Sequence, residues 1–194
     1  MAQAPNPVRT LVRHRPLPKL LATAFLLTAH LCVASPASWS TATTENFILY
    51  SCGTRDQTIR LLETLEQARS FFLETSFGAA LPKARVKVVA FADAKEYRRY
   101  QPNPGAYAYY QPGQDADYIV LQDLDPEHAH VALHEYAHSV IQHSYPKLPL
   151  WLNEGLADVY SSVELRAERF SVGRMLADRS WALQNLAPVA LETL

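Results

Sequence analysis

His134-Glu135-Tyr136-Ala137-His138 places two imidazoles four positions apart around a carboxylate. At 3.6 residues per turn, such positions share one helix face about 6 Å apart along the axis, so both rings can converge on one ion. Glu135 is rotated by roughly 100° from His134. It stands at the edge of such a site, in reach of a bound water without being a ligand. That is the mechanical content of the H-E-x-x-H pattern, in which the glutamate is the general base toward a metal-activated water.

A third ligand is available in Trp151-Leu152-Asn153-Glu154-Gly155-Leu156-Ala157-Asp158. If this segment forms a helix that returns along the first, Glu154 comes back toward the histidine pair. Two His and one Glu with a free fourth position is a catalytic zinc arrangement, so one Zn2+ ion is the expected cofactor. Asp158 lies four residues beyond Glu154 and on the same face. Its carboxylate is placed to accept a hydrogen bond from the non-ligating nitrogen of His134, which would set the tautomer. His128, His130 and His143 lack suitable spacing and read as solvated. A metzincin site would need Gly at Ile141 and His at Ser144.

HEYAH followed by WLNEGLADVY resembles the gluzincins, the zinc metallopeptidases that include thermolysin and the aminopeptidase N family, and especially their compact peptidase-MA-like relatives. The resemblance implies a zincin-like fold, His134 and His138 as ligands, Glu135 as base and Glu154 as third ligand. An Asp four residues after the ligand Glu, matched by Asp158, occurs in thermolysin-like members. The motifs cover residues 134 to 158. Three features depart from the pattern. Only fifteen residues lie between His138 and Glu154. The segment GAYAYY from Gly105 has no Glu for a free amine, which speaks against an aminopeptidase. Little chain follows Asp158 to supply the oxyanion-stabilising Tyr or His of those families, and Tyr160 could simply face the core.

The elements that must position these residues read as an α+β layout, a small mixed or antiparallel sheet with an edge hairpin followed by two metal-binding helices. Asn46 to Ser51 and Arg85 to Phe91 alternate as strands. Between them, Leu61, Leu65, Ala68 and Phe72 form the apolar stripe of a helix over 57–73. A short helix is expected from Ala94 to Tyr100. Ala106 to Gln111 and Tyr118 to Gln122 flank PGQDAD as a hairpin with its turn at Pro112 to Asp115. Of its tyrosines, Tyr107 and Tyr109 are candidates for lining a substrate groove. Asp125 and Pro126 start the first metal helix, which should run to about His143. Pro146 and Pro149 break it, and the second begins near Trp151 or Leu152 and continues toward Arg166.

Charge and hydropathy bound the rest. Among 194 residues, Arg9, Arg13, Arg15 and Lys19 precede every acidic group, and the apolar run Leu20 to Ala34 follows them. With small residues after it, this reads as a secretory signal peptide over residues 1–37, ahead of a catalytic domain over 38–194. A secreted or periplasmic location follows, with an uncleaved membrane anchor as the alternative. Cys52 is then the only mature cysteine, so packing or metal rather than a disulfide must hold the fold. Without those four basic groups, 14 remain against 19 acidic ones. A mildly acidic body argues against nucleic acid or anionic membrane as the main partner, and the resemblance to the gluzincins implies peptide or protein as the substrate class. Residues 186–194 read as the start of a further helix, so a truncated piece of a longer protein is one expectation. The functional expectation is zinc-dependent peptide hydrolysis. The alternative is a non-catalytic, metal-stabilised domain that binds peptides or cell-envelope partners.

Overall fold

The computed structural model describes residues 38–176 together with Ser180, Gln184 and Asn185. The signal-peptide region and the expected helix at 186–194 lie outside the described residues. Chain order runs through strands β1 (Ser40–Thr43) and β2 (Phe47–Ser51), helix α1 (Arg55–Leu73), strand β3 (Val86–Ala90) and helix α2 (Ala94–Tyr97). The hairpin β4 (Ala108–Gln111) and β5 (Tyr118–Leu121) comes next, then helices α3 (Ala129–Ser144) and α4 (Leu150–Tyr160), and a hairpin β6 (Glu164–Arg166) and β7 (Arg169–Ser171). The protein is thus mixed α+β.

One five-stranded sheet has the order β1-β2-β3-β5-β4. It is mixed, because β2, β3 and β5 run parallel while β1 and β4 pair antiparallel at its two edges. Side chains alternate across β2 and β3, so Phe47, Leu49, Val86 and Val88 enter the core and their neighbours do not. α1 and α3 cover this face. α1 contributes Leu61, Leu62, Leu65, Ala68 and Phe72, and α3 contributes Leu133, Tyr136, Ala137, Val140 and Ile141. Tyr136 meets Phe47 and Phe72 edge to face, with ring centroids 5.2 and 5.9 Å apart. A smaller cluster of Phe91, Tyr97 and Val120 lies apart from this core.

Several boundaries differ from the sequence expectation. α1 starts at Arg55 because Thr54 and Gln57 form a reciprocal capping box, a T-x-x-Q signal present in the sequence. β1 is formed by a Ser/Thr-rich stretch that carries little hydrophobic pattern and pairs as an edge. α2 is shorter than expected and ends at Tyr97. Asp125 caps a short 3-10 turn at Pro126–His128, and α3 follows it.

α4 stops at Tyr160 instead of continuing toward Arg166. The Ser161 and Ser162 hydroxyls donate to the Asp158 and Val159 carbonyls, both at 2.7 Å, and so satisfy the helix end. A two-residue turn with positive φ at Ala167 (45°) and Glu168 (64°) then closes the β6–β7 hairpin. Among the described residues, no helix is long and apolar enough to cross a membrane.

Candidate metal centre

The short connection Tyr145 to Pro149 turns α4 back along α3. His138 meets Asn153 while His134 meets Asp158, so the two helices run in opposite directions. Between these contacts, His134, His138 and Glu154 each offer one donor atom to a common point, all within 4.8 Å of one another. The two Nε2 atoms are 3.1 Å apart, and Glu154 oxygens lie 3.4 Å from His134 Nε2 and 3.6 Å from His138 Nε2. A tetrahedral ion with ligands at about 2.0–2.1 Å has donors about 3.3 Å apart, which this spacing brackets.

The outer hydrogen bonds decide which ring nitrogens are free. His134 Nδ1 lies 3.0 Å from the Asp158 carboxylate, and His138 Nδ1 lies 2.9 Å from the Asn153 amide oxygen. Both partners accept, so each Nδ1 carries the proton and each Nε2 presents a lone pair. Two lone pairs and a carboxylate facing one another repel unless a cation lies between them. The group can therefore hold a metal ion. Imidazole and carboxylate donors suit several divalent transition ions, so the donor set by itself does not single out zinc.

Glu135 faces the same cavity without joining the donor group. The cavity, about 440 Å³, is lined by Glu135 and the three donors together with Tyr109, Tyr110, Asn103, Gln142 and Asn153. Burial pushes the Glu135 carboxyl above the usual carboxylate range, against the opposing pull of His134, His138 and the Tyr110 main-chain N–H. Burial by itself would lower His134, but the Asp158 hydrogen bond and the carboxylates of Glu135, Asp158 and Glu154 outweigh it and raise the imidazole.

β4 forms the rim of the cavity. Tyr107 accepts the Gln122 N–H at 2.9 Å, so by antiparallel alternation Tyr109 and Gln111 bond to β5. Ala108 and Tyr110 turn their main-chain groups to the open edge.

Of the two tyrosines expected at a groove, Tyr109 lines the cavity and Tyr107 does not. Tyr107 lies at the other end of the strand against His128, with rings 5.9 Å apart, and borders a separate pocket between α1 and the start of α3. Tyr110, which the sequence did not single out, takes the second place. Asn153 was also missed, although it sits beside Glu154 in the same motif. His128, His130 and His143 are not simply solvated, since they engage Asp123, the Glu127 carbonyl and Asp117. Tyr160 packs its ring among Phe71, Phe72 and Phe77 in the core. Cys52 is half-buried with a free thiol, which burial raises, with Glu96 adding to the effect.

Comparison of the sequence with models of known protein families finds no match. A search of curated proteins likewise finds no relative.

Proposed function

We propose that this chain is a zinc-dependent peptidase of the gluzincin type, with a zincin-like fold, in which His134, His138 and Glu154 hold the ion and Glu135 is the general base. The observation that carries the reading is the convergence of two Nε2 lone pairs and Glu154 beside a half-buried carboxylate that does not itself join them. A zinc ion bound there supplies Lewis acidity, lowering the pKa of a coordinated water and polarising a carbonyl.

The chain's own residues do the rest. Glu135 accepts the proton of the attacking water and returns it to the leaving amine, and its raised proton affinity suits both transfers. The Tyr110 N–H orients that carboxylate. Asp158 and Asn153 keep both ligand rings in the tautomer that leaves Nε2 unprotonated. An extended peptide can add to the open edge of β4 through the outward main-chain groups of Ala108 and the Tyr110 carbonyl. Peptide or protein is accordingly the substrate class, and export across a membrane accords with the basic-then-apolar start of the sequence.

Bound metal per chain and hydrolysis of an unstructured protein substrate, measured together on wild type and Glu135→Gln, test this reading. Wild type should bind one zinc and cleave, whereas the variant should bind zinc and not cleave. The packing of the Tyr160 ring against Phe71, Phe72 and Phe77, outside the lining of the metal cavity, motivates a second reading as a metal-stabilised peptide-binding domain. Zinc binding with peptide affinity but no cleavage in wild type would select that second reading.

A further inference from the structure

A polar cluster that the proposed reaction does not use joins α3, from Ser139 directly after His138, to the start of β5. Asp117, just before β5, is only 6% exposed, where an unpaired carboxylate would be costly. Its main-chain oxygen accepts the Lys87 N–H at 2.8 Å, which holds it to β3. Its carboxylate accepts from Ser139 Oγ at 2.5 Å and from His143 Nε2 at 3.0 Å. Ser139 and His143 are four residues apart on α3 and so share a face, rotated from the one that presents His134 and His138. The buried Tyr110 hydroxyl lies against the same carboxylate without a formed hydrogen bond, and is pushed upward first by burial and then by Asp117.

Tyr110 connects this cluster to the reactive side. Its main-chain N–H points to the open edge of β4 and reaches the Glu135 carboxylate. α3 is therefore tied to the sheet at two heights, by Glu135 to the Tyr110 main chain and by Ser139 and His143 to Asp117. β4 is an edge strand with β5 as its only sheet neighbour among the described residues. Apolar packing holds α3 on the sheet, and directional side-chain bonds add to it in fixing how the helix sits against that edge.

We propose that Asp117 is a positioning residue: by gripping Ser139 and His143 it holds α3 against the β4 edge, so that the Tyr110 N–H stays on the Glu135 carboxylate. The consequence for catalysis rests on the reading of Glu135 as the general base. Both partners donate to the same oxygen, Oδ2, so asparagine keeps the shape and one acceptor there but removes the charge that strengthens both bonds.

Amide hydrogen exchange of the whole chain, followed by NMR, tests the proposal without a known substrate. In Asp117→Asn the Tyr110 N–H should exchange about tenfold faster relative to the β5 amides, the size expected for weakening one hydrogen bond. Bound zinc per chain should stay unchanged, and kcat on a protein substrate should fall with little change in KM. Ser139→Ala and His143→Ala each remove one donor and give the same exchange readout if Asp117→Asn does not fold, and Ser139→Thr should restore protection. Tyr110 exchange that is unchanged, or that rises only in step with the β5 amides, overturns the positioning role. Glu135→Gln separates the two ideas, because turnover retained in that variant removes the base and leaves the exchange result to stand by itself.

Discussion

His134 Nδ1 lies 3.0 Å from the carboxylate of Asp158, a residue one helical turn beyond Glu154 on the neighbouring helix. The same return of α4 that brings Glu154 to the histidine pair thus also sets the tautomer of one of the candidate ligands. His138 has the parallel arrangement with Asn153 at 2.9 Å. Two adjacent helices therefore supply both the donors and the groups that prepare them.

Removing those outer partners should weaken metal binding without abolishing it. Asp158→Asn and Asn153→Ala are each expected to lower zinc affinity by about 10- to 100-fold, whereas His134→Ala or Glu154→Ala should eliminate stoichiometric binding. Titration of the metal-free protein against a competing chelator measures this. Wild-type affinity in Asp158→Asn would contradict the assigned role.

Glu135→Gln should leave zinc content and melting temperature close to wild type and reduce turnover by about 10²- to 10⁴-fold, the range for a lost general base. The readouts are metal analysis and cleavage of a labelled protein. Undiminished cleavage would remove Glu135 from the mechanism.

Gly155 lies inside α4, beside Glu154, and a Cβ added there meets no atom within 4 Å. Packing does not demand glycine at this position. Gly155→Ala is expected to raise stability by about 1 kcal/mol through helix propensity. A chemical denaturation curve showing a loss instead would mean that α4 needs the freedom of glycine. Should stability rise while cleavage falls, the open space beside Gly155 is used by substrate.

Asp123 supplies an acid-dependent element of stability. Burial alone would raise its carboxyl, but hydrogen bonds from His128, the Asp125 N–H and Gln122 outweigh this and hold it below the ordinary 3.8. A depressed folded-state pKa contributes stability that is present above the unfolded value and lost as pH falls through the folded one. The protein should therefore lose this contribution below pH 3.8, and Asp123→Asn should flatten the dependence. Urea midpoints measured across acid pH for both proteins check the sign. Parallel curves would refute it.

Tyr160 should behave as a core residue. Its ring contacts Phe71, Phe72 and Phe77. Tyr160→Phe is expected to keep both stability and turnover, while Phe72→Ala should cost about 3–5 kcal/mol as a fully buried aromatic. A large kcat loss in Tyr160→Phe, with zinc binding intact, would instead give the hydroxyl a catalytic part.

Local periodicity was enough to find most of the elements and the helix face shared by His134 and His138. The spacing of residues along one helix is a property of the chain itself, and so is the alternation in β2 and β3. The pairing of Asp158 with His134 was also legible, because residues 154 and 158 share a face once α4 is a helix.

Contacts between elements were not legible in the same way. Whether Tyr107 or Tyr110 meets the cavity depends on the register of β4 against β5 and on how α3 crosses the edge. One step in register exchanges the residues that face the helix with those that do not. The length of α4 turned on two serine hydroxyls and a positive-φ turn without glycine. Asp117 and Asn153 gained their roles only when strands and helices distant in sequence were packed together, since a buried polar group acquires meaning from the partners that three-dimensional packing places beside it.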